Sequence, residues 1–124
     1  MIEKSGKYVH GEFFSSGTGG EITLYDRDGS AHTWNTSTER INIYWFKMTN
    51  DTACNLTLHC DTDDDNNADA GEIVCQQAVV ADGGIATSMG ELPFISAIGG
   101  KPHILASASG NVSCHLIGYI VTDG

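Results

Sequence analysis

The feature that most limits the fold of this chain is a succession of short apolar segments, most of them closed by Gly, Asn or Asp. The segments are about five to ten residues long, and none of helical length repeats its apolar residues with a period near 3.6. About eight such segments at spacings of roughly 8–12 residues predict an all-β protein, a two-sheet antiparallel β-sandwich with a jelly-roll-like arrangement. Because 124 residues have room for one core, we expect an N-terminal arm at residues 1–19 and a single sandwich domain at residues 20–124.

Two glycine-containing pairs give the clearest turn signals. Asp28-Gly29 follows the first strand of the domain and predicts a hairpin. Gly110-Asn111 predicts a second hairpin, between the last two strands of the chain.

One segment is apolar on both of its faces. Residues 40–48, "RINIYWFKM", therefore predict a central strand with one face in the core and the other against a partner. In the arm, two adjacent phenylalanines precede a Gly/Ser run, and we expect these aromatic side chains to dock on the core or on a neighbour. The predicted interface residues are Tyr8, Phe13, Phe14, Tyr44 and Phe46.

The charge balance restricts the partners. Six Lys and Arg residues against 16 Asp and Glu residues give a formal charge of −10. Since phosphate recognition depends on Lys and Arg, this balance argues against nucleic acid and anionic membrane as partners. The N-terminus carries no apolar run of signal-peptide length, so we expect synthesis and use without export by the general secretory pathway.

The sequence offers no spacing typical of an enzyme. It contains no nucleophile elbow, no phosphate loop and no closely spaced His/Glu metal motif of the kind a small jelly-roll lyase would need, so we expect a protein without catalytic activity. The five histidines are scattered, one per segment. His59 and His115 lie on the predicted non-core side of their strands, where we expect them to face solvent or an interface, or each other if those strands were neighbours.

The cysteines follow the apolar face of the predicted strands. Alternate residues of a strand have the same parity and point to the same face. Cys54 and Cys60 have the same parity as the two leucines in "CNLTLHC", and Cys114 has the same parity as the aliphatic residues near it. We therefore expect reduced cysteines that act as small core residues. A disulfide involving Cys75 or Cys114 is the alternative if the mature protein lies outside a cell.

The stretch at residues 61–72, "DTDDDNNADAGE", resembles the twelve-residue calcium loop. Its carboxylates occupy the first, third, fifth, ninth and twelfth positions of that template, at Asp61, Asp63, Asp65, Asp69 and Glu72. Asn66 stands where the template has Gly, and the preceding residues have the period of a strand, so a helix-loop-helix site is not expected. Three alternatives stay open: a structural calcium ion in a strand-connecting loop, a solvated acidic turn, or a contact with a basic partner.

The later part of the chain resembles a family of virion proteins. The residues that carry the resemblance are "ERINIYWFKMTND", a polar insertion, "GEIVCQQAVVADGG", the Pro-containing "ELPFISAIGGKPHI" and "LASASGNVSCHLIGYIV". Their order is similar to that of the small decoration or cement proteins of tailed bacteriophage capsids, which have jelly-roll or tumour-necrosis-factor-like sandwiches. The likeness covers roughly residues 20–122.

The resemblance implies a non-enzymatic viral structural protein. Such a protein is made in the host cytoplasm, binds the major capsid protein on the capsid surface as a homodimer or homotrimer, and stabilises the virion without a cofactor. The residues themselves also allow an alternative, a carbohydrate- or receptor-binding sandwich with a calcium-stabilised loop. In that alternative Trp34, Tyr44 and Trp45 would be exposed aromatic side chains on one face.

Overall fold

The structure is a computed structural model that describes residues 6–89 and 92–122. It contains eight strands, and all pairings among the described strands are antiparallel, which confirms the all-β prediction. The strands are β1 (Lys7–Glu21), β2 (Thr23–Asp26), β3 (Glu39–Asn50), β4 (Cys54–Asp61), β5 (Ile73–Val79), β6 (Gly83–Ser88), β7 (Phe94–Ile95) and β8 (Lys101–Thr122).

Strand β8 organises the sandwich-like sheet because it belongs to two branches. Its later part, residues 110–122, lies between β1 and β3, and the short strands β6 and β7 pair with the outer edge of β3. Its first part, residues 101–106, lies between the end of β1 and β4, and β4 in turn pairs with β5. The acidic stretch therefore joins β4 and β5, in the branch next to the first part of β8.

The predicted hairpin at Gly110-Asn111 is wrong, because β8 continues through this pair without a turn. The irregularity is a register shift instead: Gly17 pairs with Gly110, whereas Gly19 pairs with Leu105. Gly19 has a φ of +114°, and a side chain there would collide with the carbonyl oxygen of Ile104. Only glycine fits this close crossing of two strands, so the glycine signals mark a bulge and not a chain reversal.

The predicted hairpin at Asp28-Gly29 is confirmed. The amide of Gly29 donates to the carbonyl oxygen of Asp26 (2.9 Å), and Tyr25 forms an antiparallel bridge with Ala31.

The segment predicted as an arm, residues 1–19, has a different place in the fold. Residues 1–5 lie outside the described part of the chain. Residues 7–21 form β1, which pairs with β8 from Lys7 to Glu21, so the predicted boundary after residue 19 falls within a continuous strand.

One apolar core draws side chains from both branches of the sheet. Leu56 and Leu58 of β4 and Ile104 of β8 are fully buried, and burying such a side chain stabilises the fold by about 1.5–3 kcal/mol. Cys60 and Cys114 are members of this core, as predicted. Cys54 and Cys75 pack against it in part, and all four thiols, which lie within the described ranges, are free.

Candidate functional site

The acidic loop joins the end of β4 to the start of β5. Asp61 is the last residue of β4, and Glu72 directly precedes β5. The amide of Cys60 donates to the carbonyl oxygen of Glu72 (2.9 Å), which holds the two ends of the loop together. The strand flanks expected from the sequence are therefore present, and we call residues 61–72 the acidic loop from here on.

Asp61 organises the first turn of the acidic loop. Its carboxylate accepts hydrogen bonds from the amides of Asp63 (3.2 Å), Asp64 (3.1 Å) and Asn66 (2.6 Å). Asp64 and Asn66 adopt left-handed conformations, with φ of 57° and 55°. Asn tolerates that conformation better than most residues, so Asn66 takes the place that Gly has in the calcium-loop template.

Glu72 closes the other end of the acidic loop. One of its oxygens, Oε2, accepts hydrogen bonds from the amide (3.0 Å) and the hydroxyl (2.8 Å) of Thr62, and Oε1 accepts one from the amide of Asp69 (3.2 Å). The exposed fraction is 8% for Glu72 and 1% for Asp61. Two buried carboxylates thus face each other across the loop.

The five carboxylates predicted as metal ligands do come together. Carboxylate oxygens of Asp61, Asp63 and Glu72 lie within 4.8 Å of one another, and so do those of Asp63, Asp65 and Asp69. Asp63 belongs to both groups.

The crowding perturbs two of these carboxyl groups in opposite directions. Hydrogen bonds with the carboxyl groups of Asp61 and Asp65 raise the pKa of Asp63 to about 6. Burial opposes the ionisation of Asp61, but hydrogen bonds from the Asp63 side chain and from the amides of Asn66 and Asp63 outweigh it and lower the pKa of Asp61. Below about pH 6, Asp63 therefore holds a proton that it shares with its neighbours.

His59 lies beneath the acidic loop, in contrast to the predicted exposed position. It is fully buried, and neither ring nitrogen has a hydrogen-bond partner among the described residues. The parity rule failed because both faces of β4 are covered from Leu56 to Asp61. Burial and the nearby His103 lower the pKa of His59.

His103 is the neighbour of His59, whereas His115 pairs with Glu12 and Lys47 on other strands. The two ring centroids of His59 and His103 are 5.5 Å apart. The Nε2 atom of His103 lies 3.4 Å from Asp64 Oδ1 and 3.9 Å from Asp61 Oδ2, and its Nδ1 lies 2.9 Å from the carbonyl oxygen of Lys101.

The structure also brings together a third group that the sequence did not suggest. Ligand atoms of His103, Asp64 and Glu21 lie within 4.8 Å of one another. The group depends on the pairing of β8 with both β4 and β1, and no local spacing in the sequence indicates that pairing.

A second surface feature is a run of exposed apolar side chains along the outer edge of β3. Leu92, Ile95 and Ile98 are 73%, 57% and 41% exposed. They lie in and around β7, whose two residues pair with Asn42 and Ile43 of β3. We call these three side chains the apolar edge.

The five predicted interface residues have different environments. Phe14 is 79% exposed, and Tyr8 and Phe13 are half-buried. Phe46 belongs to the core with 1% exposure, and Tyr44 is 7% exposed and stacks edge-on against Tyr119. Phe46 and Tyr44 therefore offer no free surface to a partner, a correction to the prediction for β3.

A surface lined by aromatic side chains lies on the β1–β2 side of the sheet and not at the tryptophans, where it was predicted. Trp34 and Trp45, predicted to be exposed, are half-buried. A shallow groove on the β1–β2 side of the sheet is lined instead by Phe13, Phe14 and Tyr25, with Glu12, Glu21, Thr23 and His115 around them.

Comparison of the chain with protein-family models, with curated proteins and with solved structures found no significant match. Across residues 6–89 and 92–122, no helix is long and apolar enough to cross a membrane.

Proposed function

We propose that this protein is a non-enzymatic virion structural protein, which binds the outer surface of a tailed-phage capsid as a homo-oligomer and stabilises the shell. The proposal includes the two-layer, jelly-roll-like arrangement that the resemblance implies. It also includes the major capsid protein as the partner and the capsid surface as the location. The mechanism is mass action, because a ligand that binds the assembled shell and not its separated subunits stabilises the assembled state.

The observation that carries this proposal is the apolar edge. Scattered apolar side chains are normal on a protein surface, but three within seven residues at a sheet edge are a surface that a partner would bury. Complete burial of Leu92, Ile95 and Ile98, from their present exposure, would contribute about 3–5 kcal/mol per subunit. Such a modest contribution per copy becomes strong attachment when several linked copies bind one particle.

The charge of the protein supports the same function. With a formal charge of −10 per chain, separate oligomers repel one another in solution and stay dispersed until they meet a complementary surface. The exposed Phe14 side chain offers a second apolar anchor, on the β1–β2 side of the sheet. Aromatic anchors contribute strongly to binding energy where a partner encloses them.

Co-sedimentation with phage heads that lack the protein tests the proposal. We expect the protein to sediment with these heads. Replacing Leu92 and Ile95 by serine removes about 2–4 kcal/mol of apolar burial per subunit and should weaken binding by a factor of about 30 or more. The matched control is Val80→Ser, which changes a side chain of similar exposure, 75%, away from the apolar edge. A protein that never sediments with heads contradicts the proposal.

A second candidate function is favoured by the groove around Phe14 and Tyr25. Aromatic rings beside the carboxylates of Glu12 and Glu21 are groups that can stack on and hydrogen-bond to a sugar ring. Retention on glycan columns that Tyr25→Ala abolishes, together with no binding to heads, would favour a carbohydrate-binding module over the capsid protein.

A further inference from the structure

We propose that the acidic loop binds a calcium ion through the carboxylates of Asp61, Asp63, Asp65 and Glu72, with Asp69 completing the oxygen shell directly or through a water. This inference goes beyond the proposed function, because the site would exist in the isolated protein whether or not it binds a capsid.

The oxygen atoms suit a calcium ion. Calcium takes six to eight oxygen ligands, about 2.3–2.6 Å from the ion. The two carboxylate groups share Asp63, and the oxygens within each group lie no more than 4.8 Å apart, so that small movements bring them around one ion. Asp61 and Glu72 are held in place by amide and hydroxyl donors, whereas Asp63 and Asp65 are exposed and Asp65 accepts one amide bond, from Asn67 (2.9 Å).

A second observation is independent of the carboxylates, namely the buried imidazole of His59. It precedes Asp61 by two residues in β4 and pairs with Ile73, the residue after Glu72, and both of its nitrogens are without a partner in the described part of the chain. The Oδ1 atom of the neighbouring Asn66 is likewise buried without a donor among the described residues. Leaving a buried polar atom unpaired costs free energy. A calcium ion with a coordinated water would supply donors at this position.

The charges point to a cation as well. Buried carboxylates need a counter-charge, and neither Lys nor Arg forms an ion pair with Asp61 or Glu72 among the described residues. His103 approaches Asp64 and Asp61 but carries at most one positive charge, against five carboxylates at the predicted ligand positions. The remaining repulsion is relieved by a divalent ion.

The donor set favours calcium over other divalent ions. Magnesium requires a near-ideal octahedron at about 2.0–2.1 Å and retains several waters, which a flexible cluster of five carboxylates does not select. Zinc prefers nitrogen and sulfur ligands. The group that offers a nitrogen ligand consists of His103, Asp64 and Glu21. A rise in Tm on addition of zinc would be assigned to this group if substitution of His103 abolished it.

Calcium titration of the chelator-treated protein, followed by calorimetry and thermal unfolding, tests the inference. Saturating calcium should raise Tm by about 5–10 °C, the shift expected at a hundredfold excess over Kd for a chain of this size. Sodium chloride at matched ionic strength should raise Tm by far less. Equal shifts with sodium chloride or with magnesium would overturn the inference, because they would indicate general screening of an acidic turn.

Variants locate the site. The double change Asp63→Asn with Asp65→Asn, at exposed side chains, should reduce calcium affinity at least tenfold while the chelated protein is no less stable than the chelated wild type. The matched control Asp82→Asn removes an exposed carboxylate outside the loop and should leave calcium affinity unchanged. Unchanged affinity in the double variant overturns the assignment of these ligands.

The imidazole signals in a nitrogen–proton correlation spectrum report on the surroundings of the His59 ring. Calcium should shift the ring signals of His59, which is buried beneath the loop, and leave those of the half-exposed His115 in place. A calcium-dependent Tm without any shift at His59 would contradict the place given to the ion. None of these measurements involves phage heads, so failure of the calcium site is distinguishable from failure of capsid binding.

Discussion

Replacing Asp61 by alanine removes the acceptor for three backbone amides of the acidic loop, those of Asp63, Asp64 and Asn66. A hydrogen bond to a charged group contributes about 1.5–3 kcal/mol, and water replaces part of this in a loop that is mostly exposed. We therefore expect Asp61→Ala to lower the free energy of unfolding by about 2–4 kcal/mol in chelator. With an unfolding entropy of about 2.1 cal/mol/K per residue, this corresponds to a decrease in Tm of about 8–15 °C.

The control lies in the same loop and carries the same charge. Asp63 accepts none of these three amide bonds, and its side chain is exposed, so Asp63→Ala should lower the free energy of unfolding by less than about 0.5 kcal/mol in chelator. Urea unfolding and calorimetry of both variants at one pH provide the comparison. Equal destabilisation by the two changes would contradict the role given to Asp61, because the effect would then follow from charge and not from its amide bonds.

Three further predictions concern pH, thiol chemistry and the core. The neighbours of Asp63 raise its pKa from 3.8 to about 6, so the folded protein binds the Asp63 proton more tightly than the unfolded chain does. The resulting stabilisation is complete below about pH 3.8 and is lost as the pH rises through about 6. In chelator, urea midpoints of the wild type should therefore fall relative to those of Asp63→Asn between about pH 4 and pH 7, and parallel curves would contradict this. Burial raises the pKa of the Cys60 and Cys114 thiols from 9.0 to about 12. At pH 8 both should therefore react with a thiol reagent about a thousandfold more slowly than an ordinary cysteine. Rapid labelling of all four thiols in the native protein would contradict the burial of these two. Leu58→Ala should lower the free energy of unfolding by about 2–5 kcal/mol, since Leu58 is fully buried in the core, and a loss below about 1 kcal/mol in urea unfolding would contradict that position.

The strand content was predictable because alternation of apolar and polar residues is a local property. The segment at residues 40–48 did become a long strand, β3, paired on both edges. The limits of the parity rule appear at Phe46, Tyr44 and His59, which were assigned to exposed or contact faces and are buried. Parity separates the two faces of a strand, but it does not tell whether the second face is covered by the rest of the chain.

The glycine signals show the same limit for turns. Asp28-Gly29 reverses the chain, whereas Gly110 lies in a strand that continues to Thr122. Glycine is required wherever a backbone approaches closely, at a bulge as well as in a hairpin. The sequence cannot separate the two, because the side chains that approach Gly110 closely, those of Asn50, Asp51 and Thr52, lie more than fifty residues earlier.

The acidic loop was the most predictable part of the candidate site. Its ligand positions depend on spacing within twelve residues, and the loop brings those carboxylates together around Asp63. His103 was not predictable as a neighbour of this loop, because its place depends on the pairing of β8 with β4. The exposure of Leu92 and Ile95 also follows from the edge position of β7, which no local pattern indicates.

Native mass spectrometry of the protein, with and without a chelator, tests the proposed oligomer and the proposed calcium ion together, because one spectrum reports both subunit number and bound metal. We predict a dimer or trimer of the 13.2 kDa chain with one calcium ion per subunit. The calcium should disappear in chelator and should be missing from the Asp63→Asn, Asp65→Asn variant. A metal-free monomer in both conditions would contradict the oligomer and the ion alike.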